Sequence, residues 1–398
     1  MRPEAGAGRR RGLLILGLVF QLGLLVAVKY AGFFFGAFID LPKLHLPLGV
    51  SFYTFHAISY LVDVYRQKTP PQKNLLRLGL YLALFPKLVM GPIVPYHELE
   101  PALAQRTIDA QEVSDGCFRF TIGLAKKALL ADALAGLVTG IWGDLASLTV
   151  LSAWLGLIGY ALQLYFDFSG YSDMAIGLGR MLGFRFPENF RYPYLCSSIS
   201  DFWRRWHISL GSWFKEYLYF PLGGSRTGTL RTLRNLLLVW LATGLWHGAS
   251  WNYVLWGLYF GVLICLEKLL APRFRAHPRK GLLAGLYRPV CLLLAVLGWV
   301  LFRAEDLPAA GRYFACLFGG AAGASAQARL YLHDFWPVLL LGAVGATPLC
   351  AKLAGRLGAK LQPGVRAAVQ AVLVLALLAC STVWLLNGSF QSFVYFQF

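Results

Sequence analysis

Asn235-Leu-Leu-Leu-Val-Trp-Leu-Ala-Thr-Gly-Leu-Trp-His247-Gly-Ala-Ser-Trp251 opens a run, 235–266, without a single charged residue. Basic residues stand on both sides: Arg226, Arg231 and Arg234 before it, Lys268, Arg273 and Arg275 after it. Lys and Arg collect in loops held on the cytoplasmic side of a membrane. With both flanks on one side, the run must enter and return. Half of it is about 16 residues, or roughly 24 Å of helix. Two such arms fall slightly short of a full crossing. The turn is expected at His247-Gly-Ala-Ser250, where glycine and small residues permit it. This places His247 deep in the membrane, at the tip of a helical hairpin. Non-helical backbone at that depth needs protein or a water-filled cavity around it.

Upstream, 202–207 read Phe-Trp-Arg-Arg-Trp-His. His207 and His247 thus each follow a tryptophan, Trp206 and Trp246. A titratable ring in apolar, membrane-length sequence is costly and by default marks a site. From Ser200 to Tyr219, polar and apolar residues alternate at roughly helical spacing, with Ser200 placed to cap the start. The tryptophans and tyrosines of this element suit a membrane–water interface, where a ring is half wet. The element is expected to lie along the interface or dip into the protein.

The composition agrees with a membrane protein. Of 398 residues, 57% are hydrophobic and 14% charged, against roughly 25% charged in soluble domains. Apolar blocks fall near 13–28, 47–62, 75–95, 118–142, 145–166, 235–266, 281–302, 335–350 and 367–398. They predict one all-α polytopic domain over 1–398, with roughly eight to ten embedded elements, several too short to cross alone. The net charge of +18 sits between these blocks, as in Arg9-Arg10-Arg11, 226–234 and 273–280. That pattern fits loops near anionic head groups and argues against nucleic acid. Arg9 to Val28 reads as a retained helix, since its apolar run is long for a signal peptide and no cleavage site follows. The seven cysteines are scattered without C-x-x-C and read as buried, inert thiols.

Histidine exchanges protons near neutrality. Acyl transfer to a hydroxyl needs a base for the alcohol proton and donors for the developing oxyanion. His247 fits the base. His207 fits a group that orients the acceptor, hydrogen-bonds the acyl carbonyl or shares the proton. The alternative is a pair of core histidines. No H-E-x-x-H is present, and no metal site is expected. Gly177-Leu-Gly179-Arg-Met-Leu-Gly183 lacks the spacing and βαβ context of a dinucleotide loop; close helix packing explains it better. Asp167 and Asp173 are expected to pair with arginines in 180–205 rather than to relay protons. Lys126, Lys127 and Asp132, inside block 118–142, raise the same question. His56 reads as structural.

Tyr165-Phe-Asp-Phe-Ser-Gly-Tyr-Ser-Asp-Met-Ala-Ile-Gly-Leu-Gly-Arg180 continues into Gly183-Phe-Arg-Phe-Pro-Glu-Asn-Phe-Arg-Tyr-Pro-Tyr194. Asp201-Phe-Trp-Arg-Arg-Trp-His-Ile-Ser-Leu210, Trp213 to Gly224 and Thr243-Gly-Leu-Trp-His-Gly-Ala249 follow. Together they resemble the membrane-bound O-acyltransferase family, in its bacterial alginate O-acetylation branch. The stretches 47–55, 58–66 and 85–97 and the ending 393–398 are similar to the same branch. The resemblance implies a ring-like helical fold with short or re-entrant helices around a thinned centre. His247 and His207 match the two family histidines. Charge and neighbourhood add Arg204, Arg205, Trp206, Trp246, Asp201 and Asp173 as residues that surround them or meet the donor's phosphates.

The resemblance further implies an acetyl group taken from a cytoplasmic thioester, acetyl-CoA or an acyl carrier, with no bound cofactor. Membrane lipids, periplasmic acetyltransferase proteins and polysaccharide are the implied partners, and the bacterial inner membrane the location. The teichoic-acid D-alanylation branch shares the motif layout, so the acyl group stays open. A transporter with proton-coupling histidines, or an inactive scaffold, are the competing classes. Two departures stand out. Gly211 and Lys215-Glu216 replace a common Ser and Arg-Asp, and family members usually carry two or three further helices before the segment beginning here at Arg9.

Overall fold

The structure is a computed structural model of the chain and describes residues 6–35, 49–226, 228–276, 282–388 and 393. Residues 277–280 of the basic cluster and 394–398 of the ending lie outside the described residues, as does the start of block 47–62. Among the described residues there is no strand. The first helices are α1 (Ala7–Leu25), α2 (Ala31–Phe35), α3 (Val50–Tyr65), α4 (Leu75–Ala83), α5 (Tyr96–Ala104), α6 (Ala110–Ala125), α7 (Asp132–Trp142) and α8 (Val150–Met181). Then come α9 (Ile199–Trp203), α10 (Ile208–Phe214), α11 (Thr229–His247), α12 (Trp251–Ala276) and α13 (Leu282–Arg303). The series closes with α14 (Leu307–Leu317), α15 (Ala326–Gly345), α16 (Leu349–Gly358) and α17 (Pro363–Asn387). Among the described residues, five helical runs are long and apolar enough to cross a membrane, and up to six if the bent pair α15–α16 is one span. The other apolar blocks are shorter or carry charge. Block 75–95, for instance, yields only the nine-residue α4 and a single 3-10 turn.

The long helix α8 is the axis of the fold. Thr149 and Ser152 close a capping box at its start, and its 32 residues reach about 48 Å. Its most apolar window is 72% buried, whereas those of α17 and of the run Ala7–Phe34 are 6% buried. The former is therefore core and the latter two are lipid-facing periphery. Of the thiols, Cys196, Cys265 and Cys291 are buried, but Cys117 on α6, Cys350 on α16 and Cys380 on α17 are exposed, contrary to expectation.

Glycines set the α6–α8 crossing, as the sequence suggested for Gly177. A Cβ at Gly177 would lie 2.6 Å from the Gly116 carbonyl oxygen, and one at Gly123 2.5 Å from that of Gly170. Backbones this close bring Arg119 of α6 and Lys126 and Lys127 of the π-helical turn that follows it opposite α8 carboxylates. Asp173 therefore pairs with Arg119 (2.9 Å) and Lys126 (2.6 Å), and Asp167 with Lys127 (2.7 Å), which also holds Asp132. The expected pairing with arginines in 180–205 is not what forms. Arg180 and Arg185 reach Glu112 on α6 instead. Pairing inside the crossing satisfies charges that lipid would not.

Polar contacts define one basic face. Arg10 donates to the Tyr65 carbonyl, joining the start of α1 to the end of α3. Arg66 and Lys68 hold Glu216 at 2.8 and 2.7 Å. The Lys68 hydrogen bond is the main reason the Glu216 carboxyl is held below its usual range. The other face carries Asp144 and the α13–α14 junction, where Asp306 caps α14.

Candidate active site

The charge-free run folds as the expected hairpin. Its arms are α11, with 19 residues, and α12, with 26, or about 28 and 39 Å. They are longer than expected because α11 begins before the run, at Thr229, and α12 continues past it. The turn Gly248–Ser250 consequently lies beside the end of α13, where Asn252 donates to the Ala304 carbonyl at 2.7 Å, rather than stopping short of it. A Cβ at Gly244 would sit 2.3 Å from the Tyr253 oxygen, so the arms meet backbone to backbone. The end of α11 leaves carbonyls without helical partners. Lys29 Nζ donates to those of Trp246 (2.7 Å) and His247 (3.4 Å), and the Tyr30 hydroxyl to that of Leu245.

The second element is not one helix from Ser200. Ser198, not Ser200, caps α9, accepting from the Asp201 amide. The Ser200 amide and hydroxyl instead donate to Glu267 Oε2 on α12, at 2.9 and 2.6 Å. Glu267 Oε1 takes the Ile199 amide and the Tyr287 hydroxyl, both at 2.7 Å. After Trp203 the helix breaks, and His207 adopts φ 45°, ψ 54°, a left-handed conformation. That geometry is uncommon for a side chain larger than glycine and needs surroundings that hold it. Asn189 supplies them. Its carbonyl accepts from the Ile208 amide at 3.0 Å. Its side-chain oxygen meets His207 Nδ1 at 3.2 Å and accepts from the Ser209 amide and hydroxyl.

The two histidines meet across Trp246. Its ring centroid lies 6.4 Å from that of His207 and 4.8 Å from that of His247. Phe168 stands edge-on to His207 at 4.7 Å, and Trp256 and Phe302 wall His247 at 4.9 and 5.1 Å. His207 is 2% and His247 4% exposed. His207 Nε2 and Trp246 Nε1 are buried without a hydrogen-bond partner. Such atoms are expensive in a folded interior and call for an explanation. A largely apolar cavity of about 270 Å³ reaches His207 between α10 and α11; Trp203, Trp206, Phe214, Lys215 and Trp240 help line it.

The remaining expected residues divide. Trp246 and Trp206 are in the core beside the histidines, Trp206 against Phe202 and Trp299. Asp201 holds Arg205 at 3.0 Å and Arg204 at 3.5 Å. Burial works against the Asp201 charge, but the Ser197 amide and Arg205 outweigh it and hold the carboxyl below its usual range. Arg204 is 70% exposed in its side chain, so this clasp sits on the basic face, apart from the rings. Asp173 is occupied by α6. His56 is wholly buried, edge-on to Tyr81. Sequence reasoning missed Asn189, Lys29 and Glu267. Lys29 and Glu267 were detectable as the charges that end their apolar runs. Asn189 lies between Glu188 and Arg191 in a polar stretch and carries no signal of its own.

A family model described as the membrane-bound O-acyltransferase family matches residues 72–285. The chain is 45% identical over 316 residues to the probable alginate O-acetylase of Pseudomonas aeruginosa, covering 77% of this chain and 60% of that protein. It is 37% identical over 337 residues to the peptidoglycan O-acetyltransferase of Helicobacter pylori, 76% and 63% covered. It is 29% identical over 249 residues to the teichoic acid D-alanyltransferase of Bacillus subtilis, 57% and 62% covered. The chain spans about three fifths of the length of these curated relatives.

Proposed function

The chain belongs to the membrane-bound O-acyltransferase family, and from that premise we propose that it transfers an acyl group, acetyl in the first instance, to a hydroxyl. The donor is a thioester such as acetyl-CoA, arriving from the basic face, which is the cytoplasmic one in a bacterial inner membrane. The acceptor is a polysaccharide hydroxyl, alginate-like, or a hydroxyl of a periplasmic partner. The observation that carries this reading is the convergence of His207 and His247 on Trp246 from two separate elements. One imidazole takes the alcohol proton as the oxygen attacks the thioester carbonyl. The C–S bond breaks, and the thiolate leaves with that proton. His247 is the assigned base and His207 the second group. The apolar cavity beside His207 suits the donor's acyl arm. Acetyl is favoured over D-alanyl because the two O-acetylating relatives are 45% and 37% identical and the D-alanyl one 29%.

The test is His247→Ala expressed in a host with a defined O-acetylation defect, with membrane levels checked by immunoblot. Polymer O-acetylation should vanish while the protein persists. Retained O-acetylation at normal levels refutes the assigned base.

A further inference from the structure

The hydrogen bonds around Asn189 fix more than a backbone. Its Oδ1 accepts from the Ser209 amide at 3.2 Å, and a backbone N–H only donates. Its Nδ2 donates to the Ser172 hydroxyl at 3.1 Å on α8. The Ser209 amide settles which end of the side chain is oxygen, and the Ser172 hydroxyl, able to donate or accept, is compatible with it; the assignment comes from the network rather than from visible hydrogens. His207 Nδ1 therefore faces an acceptor at 3.2 Å and must carry the proton. A neutral imidazole has one N–H, so Nε2 is left as a lone pair. That atom is the one buried without a partner.

We propose that Asn189 is the positioning residue that holds His207 as its Nδ1–H tautomer, presenting Nε2 to the reacting groups as a proton acceptor. The neutral ring then cannot donate to an acyl carbonyl, one of the roles the sequence left open for it. As the second group beside the base His247, it accepts from the attacking hydroxyl and shares its proton, and the imidazolium formed keeps its Nδ1–H bond to Asn189. The proton at Nε2 goes to the departing thiolate, so the ring returns to its starting state. The tautomer stands on geometry alone; its consequence for turnover rests on the acyl-transfer reading.

Two measurements separate the parts. The first is 15N-histidine NMR of the full chain in lipid, with His207→Gln identifying the His207 signals. The expected spectrum shows a protonated Nδ1 and an imine-type Nε2, and Asn189→Leu should lose that preference. A protonated Nε2 in the unmodified chain overturns the proposal. The second is the pH profile of acyl transfer for Asn189→Asp, a substitution whose carboxylate still accepts from Nδ1 and from Ser209. It should retain transfer, with the acid limb moved to higher pH because a carboxylate stabilises the imidazolium. An unmoved limb overturns the positioning role. Full transfer by His207→Gln would overturn His207's part in turnover, whereas no acyl transfer by the unmodified chain, present at normal levels in the membrane, would defeat the acyl-transfer reading and leave the NMR result standing.

Discussion

Glu267→Gln should loosen the element that carries His207 without changing the size of any side chain. In the native structure four donors converge on the carboxylate: the Ile199 and Ser200 amides and the Ser200 and Tyr287 hydroxyls, all between 2.6 and 2.9 Å. Glutamine replaces one oxygen by an NH2 group, which must face one of the two amides. A hydroxyl can rotate to accept, but an amide N–H cannot. One buried donor is left unpaired, at about 1–3 kcal/mol, and the surviving bonds lose their charge assistance, at about 1 kcal/mol more. The sum is about 2–4 kcal/mol. One tenfold change corresponds to about 1.4 kcal/mol, so protection of the Ile199 and Ser200 amides in hydrogen exchange should fall between about thirtyfold and about a thousandfold. Exchange at the far side of the molecule, in α14, should not change. Protection within threefold of wild type at both amides would refute the clamp.

Two further perturbations test the frame around the site. Lys29→Met removes the ammonium that closes the last carbonyls of α11, at about 1–3 kcal/mol; a cysteine at Ala249 should then react faster with a maleimide, and an unchanged rate would show that the turn does not depend on Lys29. Glu216→Gln tests the basic face, where a partly exposed pair is worth about 1 kcal/mol or less. A carboxyl held low by Lys68 contributes stability above the unfolded glutamate value, about 4.3, and loses it as pH falls through the lower folded value. The variant should therefore have a lower thermal midpoint at pH 7 and match wild type near pH 3; a gap that persists at pH 3 would contradict the assignment.

The hairpin was readable because it is written in one periodic signal, a charge-free run between basic flanks. Its exact depth was not, since arm length depends on where the backbone leaves the helix, and Thr229 and Leu230 carry no hydrophobic cue for that. The 200–219 element shows the opposite case. Its alternation is helical on paper, yet the helix breaks after Trp203. The cause is tertiary: Asn189, distant in sequence, supplies the bonds that let His207 sit in a left-handed conformation. Local propensity has no access to such a partner. The misread carboxylates have the same origin. Asp167 and Asp173 are near Arg180 and Arg185 along the chain, but α6 lies closer in space because glycines on both helices remove the side chains that would separate them.

The two histidines are anchored from opposite directions, and this bears on what either can do. His207 hangs from the basic face through Ser198, Glu267 and Asn189. His247 ends a helix closed from the other face by Lys29, Tyr30 and the Asn252–Ala304 contact. Between them lie aromatic rings that leave little room for bulk water, so a charge forming there is felt strongly by its neighbours. In the proposed reaction, with donor and acceptor drawn from opposite faces, such a divided frame would let each anchor set position its own substrate without disturbing the other ring. Trp246 is the exception. It precedes His247 on α11, stacks on Phe55 at 5.1 Å from the α3 side, and touches both imidazoles. A change there disturbs both halves together, whereas changes at Glu267 or Lys29 disturb one.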